Sequence, residues 1–63
     1  MDWHDIRKIA IALEEVHPDA DNLNLRFTDL REWVLTLPDF AGAPTGCNEK
    51  ILEAIHMAWR DER

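Results

Sequence analysis

Two segments with apolar residues at helical spacing, each with a tryptophan late in its stripe, constrain this chain most. One covers residues 26–33 and includes Trp33, and the other covers residues 48–62 and includes Trp59. The chain has 63 residues, and at this size a folded domain buries only about 60% of the surface that its unfolded form exposes. This length predicts one small domain spanning residues 1–63. Large aromatic side chains have to supply much of its core.

A third amphipathic segment precedes these two. Its apolar residues recur every three or four positions and so share one face of a helix. They are Trp3, Ile6, Ile9, Ala10, Leu13 and Val16. Asp2 is the expected N-cap, because its carboxylate can accept from a free backbone N–H. Pro18 is expected to end the helix, since proline disfavours helical geometry at the residue before it.

The two later helices have predicted boundaries as well. Thr28 is the expected N-cap of the second helix, and Asn48 is that of the third. The predicted buried face of the second helix is Leu30, Trp33, Val34 and Leu37. Residues 38–47 are expected to form a loop anchored by Phe40. Residues 23–27 alternate between apolar and polar, which permits a very short extended segment. The predicted fold class is therefore all-α, a compact three-helix domain.

Two apolar residues, Ile11 and Met57, lie off the predicted helical stripes. Single exposed apolar residues are common on protein surfaces and need no function. The alternative is that they form part of a contact patch for a partner. The sequence favours ordinary exposure and leaves the contact patch open.

The charge of the chain narrows the classes of partner. Thirteen acidic residues against seven basic ones give a net charge of −6. Nucleic-acid binding depends on clustered Lys and Arg, whereas an acidic face attracts a basic protein surface or a hard cation.

The chain has a single cysteine, Cys47, which cannot form an internal disulfide. This cysteine usage fits a reducing cytosol. No apolar run approaches the ~20 residues of a membrane span. We expect a cytoplasmic monomer without a nucleic-acid or membrane partner.

The sequence gives no catalytic constellation, so we do not expect an enzyme. Cys47 has no general base assigned to it by spacing. The pairs Glu14–His17 and Glu53–His56 match the Glu-x-x-His spacing of di-iron bundles. In such bundles, however, all ligands point inward from several helices, and Glu53 and His56 lie on the polar side of theirs.

Surface carboxylates are the remaining candidates for function. Four of them occur within eight residues without an intervening base, and two more close the third helix: Glu14, Glu15, Asp19, Asp21, Asp61 and Glu62. Carboxylate oxygens suit hard cations. The alternative is a solvated acidic face that keeps a small domain soluble, and composition alone favours it.

The chain resembles the IscX (YfhJ) family, small acidic accessory proteins of bacterial iron–sulfur cluster assembly. The resemblance follows short segments in order along nearly the whole chain. These are Trp3, Pro18-Asp19 with Asp21, Arg26-Phe27-Thr28-Asp29 with Trp33, Leu37, Asp39-Phe40, Pro44, Asn48 to Ile55, and Trp59 with Asp61-Glu62. It implies a winged-helix-like arrangement and an adaptor role without catalysis. It also implies binding to the cysteine desulfurase, weak exchangeable binding of ferrous iron, and competition with frataxin as one mode of action.

The resemblance and the charge clustering together assign candidate residues. The predicted surface iron ligands are Asp19, Asp21, Asp39, Asp61 and Glu62. The predicted partner-binding residues are Asp29, Glu14, Glu15, Asp61 and Glu62. Related chains commonly carry consecutive aspartates where this chain has Ala41-Gly42-Ala43. The resemblance therefore supports iron binding at that loop less well than it supports binding to the desulfurase. The alternatives are a metal-independent structural partner of the assembly complex and, less favoured, a winged-helix nucleic-acid-binding module.

Overall fold

The computed structural model describes residues 1–63 and contains three helices and no strand. They are α1 (Ile6–Val16), α2 (Phe27–Leu35) and α3 (Glu49–Asp61). The all-α, three-helix prediction is confirmed. The permitted extended segment is not a strand, and Phe27 is instead the first residue of α2. The structure contains no strand that could form a β-wing. It therefore does not support the winged-helix-like arrangement, which stays a prediction. None of the three helices is long and apolar enough to cross a lipid bilayer.

One hydrophobic core joins the three helices. Helix α1 packs mainly against α3, and α2 lies against both with its larger contact on α3. Ten buried apolar residues form this core: Trp3, Ile9, Ala10, Leu13, Leu30, Val34, Leu37, Leu52, Ile55 and Trp59. Trp59 is fully buried and is the largest of the completely enclosed side chains. The apolar stripes of α1 and α3 therefore meet as their spacing predicts, except at Val16, which is 50% exposed because it is the last residue of α1.

The start of α1 differs from the prediction. Asp2 does not cap the helix: its Oδ1 accepts from His4 N at 2.8 Å, and Asp5 Oδ2 accepts from Asp2 N at 3.0 Å. These bonds stabilise a turn over residues 2–5, and α1 begins only at Ile6. The turn still carries Trp3 into the core. The end of α1 at Val16, two residues before Pro18, agrees with the prediction.

Helix α2 begins earlier than expected and buries less of its tryptophan. Arg26 occupies the N-cap position without a side-chain cap bond, so the predicted Thr28 cap is wrong. Leu37 is buried but lies beyond the last helical residue. Trp33 is only partly buried. Its ring stacks on His17 with centroids 4.3 Å apart and meets Trp59 edge-on at 5.9 Å.

The predicted cap of α3 is confirmed. Asn48 Oδ1 accepts from Ile51 N at 2.9 Å, which satisfies one of the free N–H groups in the first turn.

The loop between α2 and α3 closes over Trp3, with Phe40 as its apolar contact as predicted. The two rings meet edge-on with centroids 4.8 Å apart, and Trp3 Nε1 donates to Ala43 O at 2.6 Å. Arg31 Nη2 donates to Pro44 O at 2.9 Å and ties the loop to α2. A Cβ added at Gly42 would lie 2.5 Å from Phe40 Cζ and 2.8 Å from Trp3 Cδ1. Only glycine fits this position without a shift of the rings.

Candidate functional site

The acidic residues lie outside the core, and most carry an unpaired charge. Asn22 is the only polar residue that is buried. Among the acids, only Glu14 and Glu32 form salt bridges, with Arg63 and Arg31 respectively. The other carboxylates are not neutralised by a base within the chain. Their summed negative potential acts on the solvent around the molecule and attracts cationic surfaces.

Glu14 is the candidate acid most engaged in the fold. Its Oε1 accepts from Trp59 Nε1 at 2.9 Å and from Arg63 Nε at 2.8 Å. The indole hydrogen bond, followed by the Arg63 hydrogen bond, lowers the pKa of the Glu14 carboxyl below its ordinary value. Glu14 therefore fastens α1 to the end of α3. Its role in partner binding stays a prediction.

Arg63 extends this connection to the segment after α1. Its guanidinium donates to three backbone carbonyls, at 2.6 Å to Ala20, 3.0 Å to Pro18 and 3.2 Å to His17. The same group lies 5.7 Å from the centre of the Trp59 ring, within reach of a cation–π interaction. The sequence reasoning missed Arg63, because partners 43 to 49 positions away leave no local pattern.

Asp21 builds the turn that follows Pro18. Its Oδ1 accepts from Leu23 N at 3.1 Å and from Asn24 N at 3.3 Å, and its Oδ2 accepts from Asn24 Nδ2 at 3.3 Å. The Leu23 hydrogen bond, together with the two from Asn24, lowers the pKa of the Asp21 carboxyl. This geometry is that of an Asx turn. Both carboxylate oxygens of Asp21, a predicted iron ligand, therefore already accept hydrogen bonds within the turn.

Asn22 is a second residue that the sequence reasoning missed. It is 3% exposed, and its Nδ2 donates to Trp59 O at 3.3 Å. The Asn22 carbonyl pairs with His56 Nε2 at 2.5 Å, and because a carbonyl can only accept, Nε2 carries the proton. These two bonds fix the turn against α3. In the sequence, Asn22 follows Asp21 and looks like any exposed turn residue.

The structure sorts several candidate acids into separate surface grooves. Glu15 and Asp39 line one groove with Met1, Lys8, Ile11 and Ala12. Asp61 and Glu62 line a second, with Ile6, Arg7 and Ala58. Asp61 also borders a third, with Leu23, Met57 and Arg60. Glu15 and Asp39 therefore border one groove and Asp61 and Glu62 another, so the candidate acids do not form one cluster. Both off-stripe apolar residues, Ile11 and Met57, border grooves that contain candidate acids.

Asp19 and Asp29 stand apart from these pairs. Both are exposed and lie outside the grooves. Asp29 is the acid in the first turn of α2, where a negative charge interacts favourably with the helix dipole. Neither residue forms a salt bridge. Their carboxylates remain available to solvent and to partners.

The donor set does not fit a resident metal ion. No group of three or more His, Cys, Asp or Glu side chains is placed so that it could hold one. Calcium and structural zinc sites depend on several converging protein ligands. The predicted iron ligands therefore stay a prediction.

The chain is a small acidic three-helix domain whose surface carboxylates are mostly unpaired. The family model described as iron–sulphur cluster assembly matches residues 1–63. The chain is also similar to an uncharacterized protein of Pseudomonas aeruginosa, with 48% identity over 61 residues that cover 97% of this chain and 92% of that protein. The chain therefore belongs to the iron–sulphur cluster assembly family, which is the IscX family that its sequence resembles, and its role lies in cluster assembly.

Proposed function

We propose that this chain is a non-catalytic adaptor that binds the cysteine desulfurase of cluster assembly through its acidic surface and thereby modulates the supply of sulfur. The observation that supports this role is the set of exposed carboxylates without internal partners on a family member with net charge −6. Opposite charges on two proteins steer their encounter and fix its orientation. A second acidic protein such as frataxin would compete wherever it uses the same basic surface.

Asp29, Asp61 and Glu62 are the acids through which we propose this contact. They are exposed and form no salt bridge, so the fold does not depend on them in the way that it depends on Glu14. Asp29 lies at the start of α2, while Asp61 ends α3 and Glu62 follows it. Glu15 adds to the same negative field from the exposed side of α1.

We further propose that ferrous iron binds this surface weakly and exchanges freely. The pairs Asp61–Glu62 and Glu15–Asp39 offer hard oxygen ligands. Two carboxylates leave most of the coordination sphere to water, which is why the affinity should be low. An anaerobic ferrous titration followed by NMR should broaden signals near these pairs first. Broadening spread evenly over the chain, or none, would contradict specific iron binding.

The docking proposal is tested by charge reversal combined with salt. Calorimetry should show that Asp29→Lys and Asp61→Lys each weaken binding to the desulfurase. Raising salt from about 0.1 M to about 1 M should weaken wild-type binding too, because the Debye length falls from about 10 to about 3 Å. Glu53→Lys is the matched control, since Glu53 is an exposed acid of α3 outside the candidate set. Affinity that changes with neither the two reversals nor salt would refute the proposal.

A further inference from the structure

We propose that Leu23 and Met57 form an apolar contact site for a basic segment of the partner that carries one large apolar side chain. This inference rests on the proposed function, since the partner is the desulfurase. The two side chains are the most exposed large apolar residues of the chain, at 61% and 58%. They come from the turn after α1 and from α3, yet they border the same groove.

The turn holds Leu23 in place before any partner arrives. The Asp21 carboxylate accepts from Leu23 N and Asn24 N. The neighbouring residue Asn22 joins the turn to α3. Its side chain donates to Trp59 O, and its backbone carbonyl accepts from His56. A contact residue on a fixed turn loses little conformational entropy when it binds. The hydrogen bonds thus present an apolar side chain to water in one defined position.

The charged residues of the groove indicate the chemistry of its occupant. Arg60 and Asp61 complete the lining, and neither forms a salt bridge within the chain. An apolar side chain of the partner covers Leu23 and Met57, while a neighbouring Lys or Arg pairs with Asp61. Arg60 can donate to a backbone carbonyl of the same segment. The net charge of −6 favours a basic partner over a second copy of this chain.

The groove has the size for side chains rather than for a metabolite. Its volume is about 300 Å³, at the lower limit of small-molecule sites, which also bury most of the ligand surface. This contact complements the electrostatic one. Exposed ion pairs contribute little and are screened by salt, whereas burial of apolar surface does not depend on charge. Leu23 and Met57 should therefore supply the part of the affinity that survives high salt.

The test compares binding to the purified desulfurase at about 0.1 M and about 1 M salt for the wild type and for a Leu23→Ser, Met57→Ser double variant. Val16→Ser is the matched control, because Val16 is 50% exposed and does not border the groove. Thermal melts of both variants should match the wild type, since none of these side chains is in the core. The double variant should bind roughly tenfold more weakly at both salt concentrations, the effect of losing a modest interface hot spot. The control should bind like the wild type.

Each other outcome has a definite meaning. A double variant with wild-type affinity, while the wild type binds, overturns the apolar site and leaves the adaptor role intact. A wild-type chain without affinity for the desulfurase refutes the adaptor role itself and this partner assignment with it. Sedimentation showing that the wild type dimerises and the double variant does not would assign the groove to a second copy of the chain and would also overturn the proposal.

Discussion

Replacing Trp59 with alanine should unfold most of this protein. Trp59 is completely buried, its indole N–H donates to Glu14, and its backbone carbonyl accepts from Asn22. Truncation of a buried large aromatic residue to alanine costs about 3–5 kcal/mol. At roughly 0.05–0.15 kcal/mol per residue, the total stability of a chain this short is about 3–9 kcal/mol. The lost burial is therefore comparable with the whole free energy of unfolding.

Urea denaturation followed by far-UV circular dichroism measures this loss without relying on tryptophan fluorescence. Two matched variants separate its causes. Trp59→Phe keeps a six-membered aromatic ring but removes the five-membered part of the indole together with its N–H donor, so it should stay folded and lose about 2 kcal/mol from the cavity and the lost hydrogen bond. Trp33→Ala removes a ring that is only partly buried, so its cost should be smaller than that of Trp59→Ala by the area lost. A cooperative transition for Trp59→Ala at the wild-type midpoint, or equal losses for both alanine variants, would refute the proposed core.

Three further substitutions test individual contacts. Asn48→Ala should cost about 1 kcal/mol in urea denaturation, because it removes the cap bond to Ile51 N; no loss would contradict the cap. The lowered pKa of Glu14 means that its stabilisation is complete above its unfolded-state pKa and is lost as pH falls through the folded-state pKa. Thermal melts from about pH 7 to about pH 3 should accordingly show a smaller acid-induced loss for Glu14→Gln than for the wild type. Gly42→Ala should lower the melting temperature, since its Cβ would meet the Trp3 and Phe40 rings, whereas Ala41→Gly, at an exposed position, should lower it less.

The sequence predicted those features of the fold that depend on neighbouring residues. The stripes of α1 and α3 follow from their 3.6-residue period. Asn48 caps α3 because a cap bond spans only three positions. The same logic failed at Asp2, where an aspartate before an apolar stripe stabilises a separate turn instead of the helix. Both arrangements use the same residue types, so local pattern alone does not distinguish them.

The environments of several surface residues depend on contacts that no local sequence pattern indicates. Trp33 has the spacing of a core residue and was predicted to be buried. In the structure its ring stacks on the ring of His17, and both residues are only partly buried. Asp21 was a candidate for iron from its charge, and the structure uses it to hold a turn. Asn22 is buried because of a carbonyl 37 residues away. The candidate acids were identified by type and order, whereas the placement of Asp39 beside the groove that Glu15 lines required the loop after α2 to pack near α1.

The separation of the carboxylates on this domain agrees with the docking role that we propose. Gathering several carboxylates into a metal site brings like charges together, and a domain with a few kcal/mol of stability tolerates little of that repulsion. Separated carboxylates keep the attractive field for a basic partner without that cost. Charge mainly accelerates association, and close packing mainly slows dissociation. If both proposals hold, salt and Asp61→Lys should reduce the association rate with the desulfurase. Loss of Leu23 and Met57 should instead raise the dissociation rate at every salt concentration.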